Sequence, residues 1–269
     1  MRLQLPDLLP GVAAQARMAP ACQLPPMLQA TPATAVPAAV LILLTPDPSG
    51  PGLAGPDGMG GPGGMDGPPE LPGPGGLPRQ DGPDGLPELP RQDGQPEPLG
   101  PPMLPTLPTL PMLLDWRVLL IRRCCYKGVH SGQVALPGGK REPEDRDFLA
   151  TALREAGEEM GVDPALVRVA GPLSSLYVAA SGFVIHPFLA VNQGITAFTP
   201  EAREVETYRQ VPLRICDPAK AESLRLMFSG GAFNPAPAWR YQDFTIWGAT
   251  AMILAELYEL AASDRLKIT

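Results

Sequence analysis

The stretch HSGQVALPGGKREPEDRDFLATALREAGEEMGV, residues 130–162, carries the local signals of a strand, a glycine loop and a helix. Glycines placed just before a helix let the backbone approach a ligand closely. Asp145 or Asp147 can cap the start of a helix predicted over 147–160. Gly161 stands where a left-handed C-cap residue ends a helix.

Three glutamates of this predicted helix share one surface. Glu155 and Glu159 are four residues apart and Glu158 is three from Glu155, so their side chains lie on one face. Arg154 can pair with Glu158, which leaves the other two carboxylates without a basic partner. A divalent cation would offset both charges, because Mg²⁺ takes carboxylate oxygens and bridges to phosphates. A merely solvated helix face is the alternative, but the adjacent glycine loop favours metal-assisted phosphoryl chemistry.

The pattern GG-x5-D-x8-REAGEEMG resembles the Nudix box, whose usual form is G-x5-E-x7-R-E-U-x-E-E-x-G-U, where U is aliphatic. Asp145 stands in place of the first glutamate, one extra residue precedes Arg154, and Ala156 replaces a bulkier residue. The longer spacing is similar to that of the coenzyme A diphosphatase branch of the family. Further segments resemble that branch as well, namely 9–20, 118–140, 176–190 and 246–257.

The resemblance implies an α/β fold, a Nudix-type α/β/α sandwich with a mixed sheet, and a role for each residue of the motif. Glu155 and Glu159 would bind Mg²⁺ or Mn²⁺, and Glu158 would be a further ligand or would orient or deprotonate the attacking water. Arg154 would hold the glutamates in place. Gly138 and Gly139 would lie against the substrate.

The implied reaction is hydrolysis of coenzyme A or acyl-coenzyme A to 3',5'-ADP and 4'-phosphopantetheine or its acyl form. Two alternatives stay open: a Nudix hydrolase of another nucleoside diphosphate derivative such as NADH or ADP-ribose, and a non-catalytic nucleotide-binding module with a Pro-rich docking segment. Several basic residues are close in sequence to the motif and could bind the 3'-phosphate of coenzyme A, although solvated loop charges explain them equally well; they are Arg122, Arg123, Lys127, Lys140 and Arg141. His130 is either a substrate contact or a structural histidine.

The remainder of the chain divides by composition. An apolar run at 38–45 reads as a buried strand and, with residues 1–37, as the leader and first strand of the catalytic domain. Residues 46–112 hold most of the 37 prolines and 29 glycines and are predicted to be a disordered insertion with an unknown partner. Residues 113–262 form the main body, and 263–269 a tail. The predicted strands are 116–122, 134–136, 167–179 and 183–191, and a second helix spans 246–262.

In that second helix a stripe of apolar residues is predicted to pack on the core, with Glu256 and Glu259 off it. The formal charge of -7 argues against nucleic-acid binding, and we expect a small-molecule nucleotide as the ligand. No segment is long and apolar enough for a membrane span. The cysteines form no C-x-x-C pair, which favours reduced thiols and a cytoplasmic protein. A homodimer is left open.

Overall fold

The computed structural model describes residues 3–20, 31–46, 113–125, 131–227, 233–263 and 265–268. The predicted insertion at 46–112 lies outside these residues, apart from its first residue. Lys127 and His130, two of the predicted substrate contacts, also lie outside them.

The described residues form three helices and thirteen strands, with short 3-10 helices at Pro164–Leu166, Leu213–Cys216 and Pro218–Lys220. The helices are α1 (Gly11–Ala16), α2 (Phe148–Met160) and α3 (Gly248–Ala262). The strands are β1 (Leu3–Gln4), β2 (Val36–Thr45), β3 (Arg117–Arg123), β4 (Val134–Ala135), β5 (Gly138–Lys140), β6 (Val167–Pro172), β7 (Leu176–Val178), β8 (Phe183–Asn192), β9 (Val205–Pro212), β10 (Glu222–Met227), β11 (Phe233–Tyr241), β12 (Phe244–Trp247) and β13 (Lys267–Ile268). Among these described helices, none has the length and apolar character to cross a bilayer.

Strand β2 is the centre of an eight-stranded mixed sheet. It runs parallel to β8 along most of its length and antiparallel to β5. Its last residues pair with the first residues of β3, Leu44 opposite Val118. The two apolar runs at 38–45 and 116–122 are therefore neighbouring strands.

Both faces of β2 are buried because a helix covers each side of the sheet. Leu41 and Leu43 pack in one apolar cluster with residues of α2. Ile42 and Leu44 pack in a second cluster with residues of α3. Successive side chains of a strand point to opposite faces, so a strand buried on both sides is apolar throughout. This confirms the predicted α/β/α sandwich with a mixed sheet.

Beyond residue 160 the predicted strand at 183–191 is confirmed as β8, but other strands differ from the prediction. The single strand predicted at 167–179 is two strands, β6 and β7, and the pairing of β6 with β8 shifts register between Val169 and Gly171. Strands β9 to β12 have no counterpart among the predicted elements. Strands β9 to β11 mix charged residues or prolines with apolar ones, and β12 has only four residues, so none contains the long continuous apolar run by which β2 is recognised.

Helix α2 begins and ends as its capping residues predict. Asp147, rather than Asp145, is the N-cap, and its Oδ1 accepts the N–H of Ala150 at 2.7 Å. Gly161 ends the helix with a φ of 65°. Its carboxylates are therefore presented from a helix with both ends fixed.

Helix α3 departs from the prediction in two respects. It begins at Gly248, because Ile246 belongs to β12. Glu256, predicted to lie off the packing stripe, is fully buried. The cause is α1, which packs against α3 on the side where solvent was expected.

Candidate active site

Two glycines of β5 lie against the acidic face of α2. The N–H of Gly138 donates to Glu159 Oε2 at 2.9 Å, and Glu159 is fully buried. A Cβ atom on Gly139 would lie 2.5 Å from the carboxylate of Glu155. Gly138 has a φ of 153°, and a Cβ there would lie 2.4 Å from the carbonyl oxygen of Ala39. Glycine at 139 thus permits the close approach of backbone to carboxylate, and glycine at 138 permits the close packing of β5 on β2.

The guanidinium of Arg154 connects three carboxylates. It donates to Asp145 at 3.0 and 3.1 Å and to Glu158 at 2.8 Å, and it lies 3.0 Å from Glu155 Oε1. The hydrogen bond with Asp145 raises the pKa of Arg154 and holds the pKa of Asp145 well below its usual range. Arg154 also donates to the carbonyl oxygen of Lys140 at 3.2 Å.

The predicted pair of Arg154 with Glu158 is confirmed, but the expectation that Glu155 and Glu159 lack basic partners is wrong. Glu155 meets Arg154 because both side chains reach the backbone of β5. Glu159 Oε1 lies 3.3 Å from Arg123 Nη1. That oxygen has no hydrogen bond of good geometry, so its contact with Arg123 is ionic only.

Burial perturbs both of the inner carboxylates. It raises the pKa of Glu159 from 4.5 to about 7, against the opposing effects of Arg123 and the Gly138 N–H. Burial also raises the pKa of Glu155, again against the effect of its arginine. The negative charge of Glu204 contributes to the increase at both glutamates.

Glu204 is absent from the site predicted from sequence. It immediately precedes β9, and its carbonyl oxygen accepts the N–H of Cys124 at 2.8 Å. The pairing of β9 with β3 brings it to the acidic face of α2. No residue spacing within the motif could reveal it, because it lies in the turn before a strand that the apolar pattern does not mark.

Glu155 and Glu159 are the residues that best fit a divalent cation. Their carboxylates lie against glycine backbone, and Glu159 Oε1 is buried without a hydrogen bond. The side chain of Glu158 is 58% exposed and contacts Arg154. Over the residues described, no three His, Cys, Asp or Glu side chains enclose one metal position. Two carboxylates supplemented by water and phosphate oxygens are nevertheless an ordinary set for Mg²⁺.

The predicted basic cluster is divided between the two faces of β3. Arg122 pairs with Asp243 at 2.9 Å and with Glu206 at 3.2 Å, and it lies over the ring of Phe244. Arg123 instead faces α2. Arg141 lies over the ring of Phe148, the first residue of α2. Adjacent residues of a strand point to opposite faces, so closeness in sequence does not bring Arg122 and Arg123 to one ligand.

A cavity of about 340 Å³ opens beside β5. Arg123, Gly138, Gly139 and Lys140 line it on the side that includes the glycine loop. Ala38 and Val40 of β2 and residues 133–136 also line it, and the rest of the wall comes from three segments that are distant in sequence: Pro20, residues 178–185 and residues 247–253. This wall is mainly apolar, with Val40, Val178, Phe183, Ile185, Met252 and Ile253.

Comparison with known proteins gives matches over this part of the chain. Residues 111–227 match the family model described as the NUDIX domain. A protein named "Uncharacterized Nudix hydrolase NudL" from Yersinia pestis (strain Pestoides F) is 34% identical over 141 residues, which cover 52% of this chain and 70% of that protein. A solved MutT/nudix family protein from Enterococcus faecalis is 12% identical with a TM-score of 0.40, covering 87% of this chain and 66% of its own. A C. elegans Ap4A hydrolase binary complex is 13% identical with a TM-score of 0.37, covering 66% of this chain and 80% of its own.

Proposed function

Because this chain belongs to the Nudix hydrolase family, we propose that it cleaves the diphosphate bond of coenzyme A or acyl-coenzyme A. The products would be 3',5'-ADP and 4'-phosphopantetheine or its acyl form. Membership of the family already makes the chain a pyrophosphohydrolase that acts on a nucleoside diphosphate derivative. The choice of coenzyme A is supported by the cavity, where the glycine backbone beside the buried glutamates adjoins an apolar wall. A diphosphate requires the first feature, and a long pantetheine or acyl arm requires the second.

We propose that Glu155 and Glu159 hold a divalent cation, Mg²⁺ or Mn²⁺. When bound, this ion polarises phosphoryl oxygens and offsets negative charge in the transition state. Arg154 holds the carboxylates in fixed positions through its contacts with Asp145, Glu155 and Glu158.

Glu158 is the carboxylate best placed to act on water, because it is exposed and tethered by Arg154. We propose that it orients the attacking water and accepts its proton. The water oxygen bonds to one phosphorus while the bond from that phosphorus to the bridging oxygen breaks, and the leaving phosphate keeps the electron pair.

Two kinds of group are proposed to contact the substrate, namely backbone atoms and positively charged side chains. Gly138 and Gly139 offer backbone close to the diphosphate, and Arg123 and Lys140 offer positive charge in the same cavity. Arg122 is held by two acidic residues on the other face of β3, which makes it a poor candidate for the 3'-phosphate. Lys127 and His130 are proposed from the resemblance alone.

A substrate panel tests this proposal. The protein is incubated with Mg²⁺ or Mn²⁺ and with coenzyme A, an acyl-coenzyme A, NADH, ADP-ribose or nucleoside triphosphates, and the products are identified by mass. We expect 3',5'-ADP from the first two at the highest kcat/KM. Preferential cleavage of NADH or ADP-ribose would show that the preferred substrate is another diphosphate and not coenzyme A. Binding without cleavage of any of them would indicate a non-catalytic nucleotide-binding module.

A further inference from the structure

Glu256 is a fully buried carboxylate that lies outside the proposed active site. It is in the middle of α3 and accepts hydrogen bonds from two other parts of the chain. The N–H of Gly11 donates to it at 3.2 Å, Gln15 Nε2 at 3.0 Å and the N–H of Ser174 at 3.3 Å. A buried carboxylate is tolerated only when it is paired or hydrogen-bonded in this way.

Glu256 joins three of the segments that line the cavity. Gln15 is itself fully buried and also donates to the carbonyl oxygen of Ser174 at 3.1 Å. Met18 and Ala19 are buried, so the attachment of α1 fixes the path of the chain to Pro20 at the cavity. Ser174 leads into β7 and the lining residues 178–185.

The third of these segments is the start of α3, which lines the cavity and precedes Glu256 in the same helix. Glu256 itself does not line the cavity. This one carboxylate thus connects three of the segments that line the cavity. A wall held in one arrangement binds a ligand without an added cost of ordering its parts.

We propose that Glu256 is a positioning residue that determines how tightly the enzyme binds the part of the substrate remote from the diphosphate. This inference rests on the proposed function, because it concerns the pantetheine or acyl arm of the same substrate. Glu256 takes no part in bond breaking. Its loss therefore weakens binding of the arm and leaves the chemical step intact.

Two variants and a control test the proposal in the full chain. Glu256→Gln places an NH₂ group against hydrogen-bond donors, and Gln15→Leu removes one donor while leaving the two backbone bonds to Glu256. Glu259→Gln is the matched control, since Glu259 lies on the same helix and also faces the leader, but its side-chain ion pair among the described residues is an exposed contact with Arg17 at 3.8 Å. Thermal unfolding and near-UV circular dichroism establish which variants fold.

Kinetics are compared on coenzyme A and on the β-methyl ester of 3'-phospho-ADP, which keeps the diphosphate and lacks the pantetheine arm. In both variants we expect KM for coenzyme A to rise about tenfold with kcat within about twofold of wild type. The KM for the methyl ester, the pH profile of kcat and all constants of Glu259→Gln should stay at wild-type values.

Equal changes on the two substrates, or none in a folded variant, would overturn the inference. The same would follow if Glu259→Gln gave the same increase, since any leader contact would then suffice. If Glu256→Gln does not fold, Gln15→Leu decides the question. A wild type that cleaves neither substrate would overturn the proposed function as well, whereas normal wild-type turnover with unchanged KM in the variants would overturn this inference alone.

Discussion

Replacing Glu159 by glutamine should make the metal-free protein more stable at neutral pH and the enzyme nearly inactive. Glu159 is fully buried, and burial raises its pKa from 4.5 to about 7. The folded protein therefore binds an extra proton between these two pH values, and the stability of the wild type falls as the pH rises through them. A difference of about 2.5 pKa units corresponds to a loss of about 3 kcal/mol at most.

Glutamine has nearly the same shape, carries no charge and can still accept the Gly138 N–H. Above pH ~7 we expect the variant to exceed the wild type by up to about 3 kcal/mol, or roughly 6–12 °C in Tm for a domain of this size. At a pH of 4.5 or below the difference should vanish, because both side chains are then neutral. Arg123 loses its ionic partner, but its side chain is 27% exposed and can be hydrated.

Thermal unfolding at both pH values, with chelator and then with Mg²⁺, measures the stability. Mg²⁺ should raise the Tm of the wild type by mass action and have little effect on the variant. At saturating Mg²⁺ kcat should fall at least about 100-fold, because transition-state stabilisation is lost. Glu158→Gln, the same change at a side chain that is 58% exposed, serves as the control for stability alone. A variant that is less stable than wild type at pH ~8 without metal would refute the burial argument, and wild-type turnover would reject the catalytic role.

Three further changes test the remaining parts of the site. Gly139→Ala places a Cβ atom 2.5 Å from the Glu155 carboxylate, so kcat should fall at least about tenfold with the fold retained by circular dichroism; an unchanged kcat would contradict the close approach. Coenzyme A should be preferred over dephospho-coenzyme A by about tenfold in kcat/KM. Lys140→Ala should abolish this preference, and the control Lys220→Ala, at an exposed side chain, should keep it. Equal rates in the wild type would show that no group of the protein binds the 3'-phosphate. Excision of residues 47–111 should leave kcat within about twofold of wild type and raise the free energy of unfolding by about 1–2 kcal/mol. The reason is that the end of β2 and the start of β3, which flank the excised residues, already pair with each other. Loss of turnover would mean that the excised segment takes part in the site.

The acidic residues of the candidate site can be predicted from the sequence, because the residues that position them are close together in the chain. Helical spacing alone places Glu155 and Glu159 on one face, and the capping residues Asp147 and Gly161 fix both ends of the helix. The need for glycine at 139 is likewise local, since β5 precedes α2 by only a few residues. Each of these features is decided within about 25 residues of chain, where spacing translates directly into geometry.

The residues that line the cavity could not be predicted in the same way, because strand pairing and helix packing bring them together from distant segments. Arg122 and Arg123 are adjacent in sequence, yet the alternation of β3 sends them to opposite faces. Glu204 arrives through the pairing of β9 with β3, and Glu256 is buried only because α1 covers a side of α3 that its own sequence marks as polar. Residues that select a substrate can therefore lie anywhere that tertiary contacts place them, while residues that perform the chemistry stay within the motif. Two chains with the same motif can in consequence differ in substrate, and we propose that in this protein such a difference would arise at the cavity wall that Glu256 positions.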